Sequence, residues 1–186
     1  MIDVNDLRRG MAFELDGELY QVLEYSHNKP GRGNATIRVK VVNLHSGAQF
    51  ERTFQSGARV QDVELEITPV QYLYHDGGFY YFMNTQTYEQ ITLGESQLGG
   101  RMSYVKENQE LNIITHEGEP LDIALPPNVD LRVTDSPIAI AGDTAAGGGT
   151  KIVTVETGLK VTVPLFVNLN DVIRIETRSG EYVTRV

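Results

Sequence analysis

The segment Tyr25–Phe50 holds the side chains best suited to binding an anion. It has no acidic residue, although the 186-residue chain has 25 acidic against 16 basic residues and a formal net charge of -9. The planar donor fork of a guanidinium fits phosphate oxygens and base edges better than an ammonium does, which favours Arg32 as a contact to nucleic acid. The basic residues of the segment are Lys29, Arg32, Arg38 and Lys40.

The neighbours of Arg32 predict a thin hairpin tip. Pro30 fixes its own φ and favours an extended Lys29. Gly31 and Gly33 remove the side chains on both sides of the arginine, so that it would project alone and could enter a narrow cleft. An ordinary basic surface hairpin explains the same residues, because runs of charge usually mark solvated faces.

A glycine-rich stretch offers a second candidate loop. Its first part, Gly142-Asp143-Thr144, also fits an ordinary turn in which the aspartate bonds to its own backbone. Its last part, Gly147 to Lys151, resembles the end of a phosphate-binding loop. However, Ile152 stands where such a loop needs Ser or Thr, and no helical pattern begins there. The stretch is therefore not predicted to bind a nucleotide.

The residues that usually carry catalysis are absent or far apart. The chain has no cysteine, no Gly-x-Ser-x-Gly sequence and only 4 widely separated histidines. Carboxylates spaced two apart, such as Glu64 with Glu66 or Glu117 with Glu119, are typical of solvated strand faces rather than of a glycosidase pair. We therefore expect no enzyme activity, no catalytic residue, no metal and no cofactor.

Short alternating strands separated by glycine turns must position the candidate residues. Several runs rich in β-branched and aromatic residues have a period near two, and no 11-residue window has a convincing helical period. In each turn the glycine supplies the positive φ of a tight hairpin. The turn dipeptides are Asp16-Gly17, Ser46-Gly47, Asp76-Gly77, Glu117-Gly118, Thr157-Gly158 and Ser179-Gly180. The sequence therefore predicts an all-β protein, with room for one helical turn within residues 94–100.

Charge and proline content divide the chain into three parts. Residues 64–127 carry ten acidic and two basic side chains, whereas the parts before and after are close to neutral. Leu125-Pro126-Pro127-Asn128 cannot continue a paired strand. Pieces of about sixty residues are near the lower limit for independent folding, which favours small closed barrels. A single sandwich of this length is the alternative. We predict domains at 1–64, which carries the tip loop 28–35, at 65–126 and at 127–186.

The composition also excludes two kinds of partner. The aromatic run Phe79–Phe82 lies in the acidic middle part, where phosphates would be repelled, so we predict that it packs in a strand and core rather than against bases. No apolar stretch is long enough to cross a bilayer, and residues 1–7 lack the basic region and apolar core of a signal peptide. We therefore expect a cytoplasmic protein with no membrane contact.

Short motifs follow one another in a fixed order along the whole chain. They are Lys29-Pro30-Gly31-Arg32-Gly33-Asn34-Ala35, Arg38 to Leu44, Glu51-Arg52-Thr53-Phe54, Gln71-Tyr72-Leu73-Tyr74, Phe82-Met83-Asn84, Gly142-Asp143-Thr144, Glu156-Thr157-Gly158, Val161 to Val167 and Thr177 to Tyr182. Each is weak evidence alone. Together, in this order and over the full length, they resemble the bacterial translation elongation factor P family.

The resemblance implies both a fold and a function. Members of that family have a KOW/SH3-like N-terminal barrel followed by two oligonucleotide-binding (OB) barrels, in an L-shaped outline like that of tRNA. They bind the 70S ribosome between the peptidyl and exit sites, stimulate peptide-bond formation and relieve stalling at consecutive prolines. The implied partners are the ribosome, its ribosomal RNA and peptidyl-tRNA, met by a monomer. The loop that reaches the CCA end of peptidyl-tRNA would be Lys29, Pro30, Gly31, Arg32 and Gly33, and the loop that faces the small subunit would be Gly142, Asp143 and Thr144.

Arg32 is also a candidate modification site. In many family members the tip residue is a lysine with a long modification, and in one branch it is a rhamnosylated arginine with a different flank. Arg32 is an arginine, but its flanking residues are those of the family members with a tip lysine. The resemblance therefore implies neither modification for Arg32, and the sequence leaves open whether the arginine is unmodified. Two other classes fit less well: a free single-strand RNA-binding protein would need a continuous basic groove, and a hydrolase would need a nucleophile with a base.

Overall fold

A computed structural model describes residues 1–29, 31, 33–138 and 149–186. The described chain folds into three antiparallel sheets that follow one another along the sequence, so the all-β prediction is confirmed. Two residues of the predicted tip, Pro30 and Arg32, lie outside the described residues. The whole of Gly142-Asp143-Thr144 also lies outside them.

The N-terminal sheet has six strands in the order β1-β6-β2-β3-β4-β5. A short 3-10 turn at Val4–Asp6 follows β1, and the side chain of Asp3 caps it by accepting from the backbone N–H of Asn5. Phe13 and Ile37 are fully buried in its core, with β-branched and aromatic neighbours from alternate positions of the strands. The strands are β1 Ile2–Asp3, β2 Ala12–Leu15, β3 Glu18–Asn28, β4 Thr36–Asn43, β5 Gln49–Gln55 and β6 Arg59–Val63.

The middle sheet has five strands in the order β11-β10-β7-β8-β9, and its outer strands β9 and β11 approach each other to give a barrel. Helix α1, Glu95–Leu98, and a 3-10 helix, Gly99–Tyr104, follow β9. This confirms the helical turn predicted within residues 94–100. The strands are β7 Glu66–Asp76, β8 Phe79–Asn84, β9 Gln90–Gly94, β10 Glu110–His116 and β11 Glu119–Ala124.

The C-terminal sheet also has five strands and a barrel-like closure, in the order β14-β13-β12-β15-β16. Its core consists of valine, leucine and isoleucine side chains that alternate with exposed or half-buried positions along three of its strands, β12, β14 and β15. The strands are β12 Asn128–Asp135, β13 Thr150–Val155, β14 Lys160–Pro164, β15 Val172–Glu176 and β16 Tyr182–Arg185.

Glycine turns close the hairpins as the sequence predicts. The second residue of each of the six predicted turn dipeptides has a positive φ, from 58° at Gly77 to 85° at Gly158. Each dipeptide joins two strands that pair with each other. The prediction for Phe79–Phe82 is only partly correct: Phe82 is fully buried, but Phe79 is 48% exposed because its side chain is on the outer face of β8.

The N-terminal and middle sheets meet at an apolar cluster. Leu121 of β11 is fully buried against Leu19 and Leu44 of the N-terminal sheet. Beside this cluster the β4–β5 turn comes so close to the middle sheet that a Cβ at Gly47 would lie 2.8 Å from the backbone oxygen of Gln97. The contact therefore depends on a glycine at this turn.

The middle and C-terminal sheets meet through the 3-10 helix and the chain that follows it. Thr157 donates a hydrogen bond from its hydroxyl to the backbone carbonyl of Ser103. The ammonium of Lys106 lies 3.4 Å from the carboxylate of Glu156. Tyr104 packs against the core of the C-terminal sheet. Polar groups carry most of this junction, in contrast to the apolar junction between the first two sheets.

Candidate functional site

The β3–β4 hairpin supports the predicted tip. Its strands pair from Tyr20 opposite Asn43 up to Asn28 opposite Thr36, with a bulge between Val22 and Glu24. One face of β4 is buried in the core of the N-terminal sheet, and β5 pairs with the other edge of β4 along its length. Strand β4 is therefore paired on both edges as far as Thr36, whereas the outer edge of β3 pairs with β2 only over residues 18–21, so it is mainly β4 and β5 that support the tip.

The described residues of the tip lie on the surface. Lys29, Gly31 and Gly33 are all exposed. Gly33 has a φ of 116°, which L side chains rarely adopt, so this position needs glycine for its backbone conformation. Gly31 does not share this need: its φ is outside that region, and a Cβ built there would meet nothing within 4 Å.

The basic segment is less positive in three dimensions than in sequence. Arg38 and Lys40 lie on β4, and the neighbouring strands bring a carboxylate to each of them. The guanidinium of Arg38 is 4.0 Å from Glu51 on β5, and the ammonium of Lys40 is 3.9 Å from Glu24 on β3. The fold therefore reduces the positive charge that the sequence concentrates in Tyr25–Phe50, because both carboxylates come from positions just outside that range.

The positive charge that remains is concentrated at the tip. No carboxylate among residues 1–29, 31, 33–138 and 149–186 is within 4.0 Å of the Lys29 ammonium. Arg52 is not a surface cation either, because its guanidinium lies 5.2 Å from the ring centroid of Tyr20 and 5.4 Å from that of Phe50. Lys29 is thus the one cation of the predicted tip loop that the structure describes, and it has no carboxylate within 4.0 Å among the described residues.

Glu24 is a residue that the sequence did not point to. Its carboxylate lies 2.9 Å from the guanidinium of Arg178, in the β15–β16 turn, as well as near Lys40. Glu24 therefore links the hairpin that carries the tip to the C-terminal sheet. The residues are 154 positions apart, and no local pattern predicts such a pairing.

The basic residues of the middle part are also paired. Arg101 donates to the buried carboxylate of Asp122, and Lys106 lies beside Glu156. Burial raises the pKa of the Asp122 carboxyl, although the neighbouring guanidinium opposes that shift. With both cations occupied, this part of the molecule offers no basic groove for a nucleic acid backbone.

The second predicted loop, Gly142 to Thr144, lies outside the described residues; the described chain resumes at Gly149, which packs closely. A Cβ at Gly149 would lie 2.6 Å from Cδ1 of Leu165, so the chain enters β13 in close contact with the segment that follows β14. In the part of the chain that the structure describes, no three His, Cys, Asp or Glu side chains are arranged to hold a metal ion. The described helices are also too short or too polar to cross a membrane.

Family models cover almost the whole chain. Residues 3–60 match the elongation factor P KOW-like domain, and residues 65–123 match the elongation factor P OB domain. Residues 129–185 match the elongation factor P C-terminal domain. The archaeal structure "Eukaryotic translation initiation factor 5A from Methanococcus jannaschii" has a similar fold, with a TM-score of 0.51 and 23% identity over 66% of this chain and 90% of that one. The three sheets and these family matches define a translation factor that begins with a KOW-like domain and continues with an OB domain.

Full-length relatives make the assignment narrower. Elongation factor P of Moorella thermoacetica is 46% identical over 185 residues, and that of Acetivibrio thermocellus is 46% identical over 186 residues; each alignment covers 100% of both chains. Elongation factor P of Thermotoga maritima is 46% identical over 185 residues, again covering 100% of both chains. The chain belongs to the elongation factor P family of translation elongation factors.

Proposed function

We propose that this elongation factor binds the 70S ribosome between the peptidyl and exit sites and relieves stalling at consecutive prolines. The tip loop, Lys29 to Gly33, would lie against the CCA end of peptidyl-tRNA, with Arg32 and Lys29 contacting its phosphates. The proposal rests on family membership together with an exposed hairpin end, supported by β4 and β5, at which Lys29 has no carboxylate within 4.0 Å among the described residues.

The proposed role of the tip is supported mainly by the conformation and surroundings of Gly31. Neither its backbone conformation nor its surroundings exclude a side chain. If glycine is needed here for activity, the need comes from outside the chain, from a second surface that approaches the backbone closely. A loop that enters a narrow cleft in RNA has this requirement, whereas a hairpin in free solvent does not.

Positioning accounts for the proposed effect without a catalytic group. The rigid ring of proline restricts the geometries in which peptidyl donor and acceptor can react. A cation on a supported hairpin can hold the CCA backbone in a reactive orientation, which lowers the entropy cost of the step while the ribosome carries out the chemistry. Removing a positioning contact should therefore slow proline–proline bonds most and ordinary bonds little.

The remaining assignments follow from the same proposal. We propose that Gly142, Asp143 and Thr144 face the small subunit, and that domains 1–64, 65–126 and 127–186 act as a monomer of tRNA-like outline in the cytoplasm. Arg32 is the residue whose modification needs testing. The intact mass of the natural protein distinguishes the cases, because any covalent group on the arginine adds to the mass of the bare sequence.

A reconstituted translation system with a Pro-Pro-Pro template tests the tip. Arg32→Ala should fold normally and lose rescue of polyproline synthesis, while a template without prolines is translated as before. Arg38→Ala is the matched control, because it also removes an arginine from the hairpin region; Arg38 is exposed and faces Glu51. Undiminished rescue by Arg32→Ala, or equal loss in both variants, would refute the role of the tip arginine.

A second variant tests the thinness of the loop. Gly31→Leu adds a side chain into open space, so its melting temperature should equal that of the wild type within about 2 °C, as expected for a surface change within about 0.5 kcal/mol. Its rescue of polyproline synthesis should nevertheless be lost. Full activity of Gly31→Leu would show that no surface closely approaches the tip.

A further inference from the structure

The outer face of strands β7 and β8 carries aromatic side chains that no other part of the described chain covers. Tyr74 is opposite Tyr81, and Asp76 is opposite Phe79, so these residues are on the same side of the hairpin. Tyr74 and Phe79 are 46% and 48% exposed. We call this surface the aromatic face; its members are Tyr74, Phe79, Tyr81 and Met83.

The two tyrosines of the aromatic face stack on each other. Their ring centroids are 4.6 Å apart and their planes differ by 21°, so the rings lie face to face across the strands. A guanidinium can extend this stack on the ring of Tyr74, which is 46% exposed. The contacts between sheets lie elsewhere: the N-terminal sheet packs on Leu121, and the C-terminal sheet packs on Tyr104 and its neighbours. The aromatic face is therefore available while the three sheets are assembled.

The middle part of the chain, which carries these tyrosines, is strongly negative. Three carboxylates of the middle part have a cationic or histidine partner: Asp122, Glu95 and Glu119. Seven exposed carboxylates have no such partner within 4.0 Å among the described residues, including Asp76 at the edge of the aromatic face and Glu89 beside strand β9. The seven are Glu64, Glu66, Asp76, Glu89, Glu107, Glu110 and Glu117.

We propose that the aromatic face binds an arginine-containing basic segment of another protein. A guanidinium stacks on aromatic rings through its plane and at the same time donates in pairs to carboxylates. The aromatic face offers both kinds of partner: the stacked rings of Tyr74 and Tyr81, and the carboxylate of Asp76 on the same side of the hairpin. Single-stranded RNA could also stack on tyrosines, but its phosphates would meet carboxylates without a basic residue to receive them. The charge therefore favours a cationic peptide over a nucleic acid.

The proposal can be tested with the full-length protein and defined peptides. A labelled 12-residue peptide with four arginines and no aromatic residue is titrated with the protein at low salt, and binding is followed by fluorescence anisotropy. A twin peptide with lysine at the same positions should bind more weakly, because an ammonium has no planar face to stack. A labelled single-stranded RNA is titrated in parallel.

Variants then separate stacking from general charge. The double variant Tyr74→Leu with Tyr81→Leu keeps apolar side chains but removes both rings. Its affinity for the arginine peptide should be about tenfold lower than that of the wild type. Replacing both tyrosines with phenylalanine keeps the ring faces and should leave binding within about twofold. Tyr88→Leu is the matched control, since Tyr88 is 73% exposed on the same domain but in the β8–β9 turn.

The outcomes decide the proposal in each case. It is overturned if the arginine peptide does not bind, if the leucine double variant binds it as the wild type does, or if RNA rather than peptide loses affinity in that variant. Asp76→Lys, a change at an exposed position, tests the same site if the double variant fails to fold, and should weaken the arginine peptide. Unchanged binding by Asp76→Lys would also overturn the proposal.

Discussion

Replacing Gly47 with alanine should weaken the junction between the N-terminal and middle sheets. Gly47 is in the β4–β5 turn with a φ of 73°, and a Cβ there would be 2.8 Å from the backbone oxygen of Gln97. Gly17 is a matched control in the same sheet. It has a similar φ of 81° in the β2–β3 turn, but a Cβ at Gly17 would meet nothing within 4 Å.

The magnitude of the effect follows from these two environments. Placing alanine at a positive φ costs about 1 kcal/mol in either turn. At Gly47 the backbone of helix α1, which contains Gln97, must also withdraw by about 0.6 Å to reach an ordinary contact of 3.4 Å. A gap of about 0.5–1 Å removes a quarter to a half of the dispersion energy between packed groups, and a fully buried leucine such as Leu121 contributes about 1.5–3 kcal/mol, so the gap costs about 0.4–1.5 kcal/mol. We expect about 1 kcal/mol of destabilisation for Gly17→Ala and about 1.5–2.5 kcal/mol for Gly47→Ala.

Two measurements distinguish the variants. Urea unfolding followed by circular dichroism gives the free energy of unfolding of each protein. Because the chain has no cysteine, cysteines introduced at the exposed positions Glu14 and Gln86 can carry a fluorophore pair that reports the distance between the two sheets. Gly47→Ala should lengthen that distance and Gly17→Ala should not. Equal destabilisation in both variants with an unchanged distance would show that the sheets do not make this contact in solution.

Two further predictions concern single ion pairs. Glu24→Gln removes the charged partner of Arg178, so it should increase the mean distance between the N-terminal and C-terminal sheets, as measured by fluorescence energy transfer. Glu51→Gln removes a carboxylate within the N-terminal sheet and should leave that distance unchanged. The hydrogen bonds from Arg174 lower the pKa of Asp130 below its usual 3.8, so this carboxylate stabilises the fold above pH 3.8 and ceases to do so as the pH falls through its lowered pKa. In thermal melts from pH 6 to pH 2.5, the wild type should therefore have a higher melting temperature than Asp130→Asn near pH 6, and this difference should disappear in acid. A difference in melting temperature that stays constant over this pH range would contradict the stabilising role of the Asp130 carboxylate.

The sequence predicted the local structure better than the contacts between sheets. The glycine turns identified the hairpins because a positive φ is a property of one residue and its immediate neighbours. The Leu121 cluster could not be predicted, since an apolar residue on a strand gives no sign of whether it packs in its own sheet or on the next one. Phe79 shows the same limit, because the run of aromatic residues around it hides which face of β8 each one occupies.

The sequence predicted which residues make up the exposed end of the β3–β4 hairpin, but not which of the nearby basic side chains lie close to a carboxylate. Lys29 and the glycines of the tip were recognised from their order alone. The pairing of Lys40 with Glu24, by contrast, depends on strand register, and a bulge between Val22 and Glu24 shifts that register in a way that no turn residue signals. Register errors of one residue exchange the two faces of a strand, so cross-strand charge pairs are among the least predictable features of a sheet.

The separation of the three sheets along the chain sets the order in which the molecule can fold during its own synthesis. Every strand pairing joins residues of the same sheet, so each sheet can form once its own segment has been made. The contact between Glu24 and Arg178 spans 154 residues and must wait until the last strands exist. The hairpin that carries the tip is therefore complete early, whereas its attachment to the C-terminal sheet is among the final steps, and a chain truncated before Arg178 would retain the tip but lack this restraint on its position.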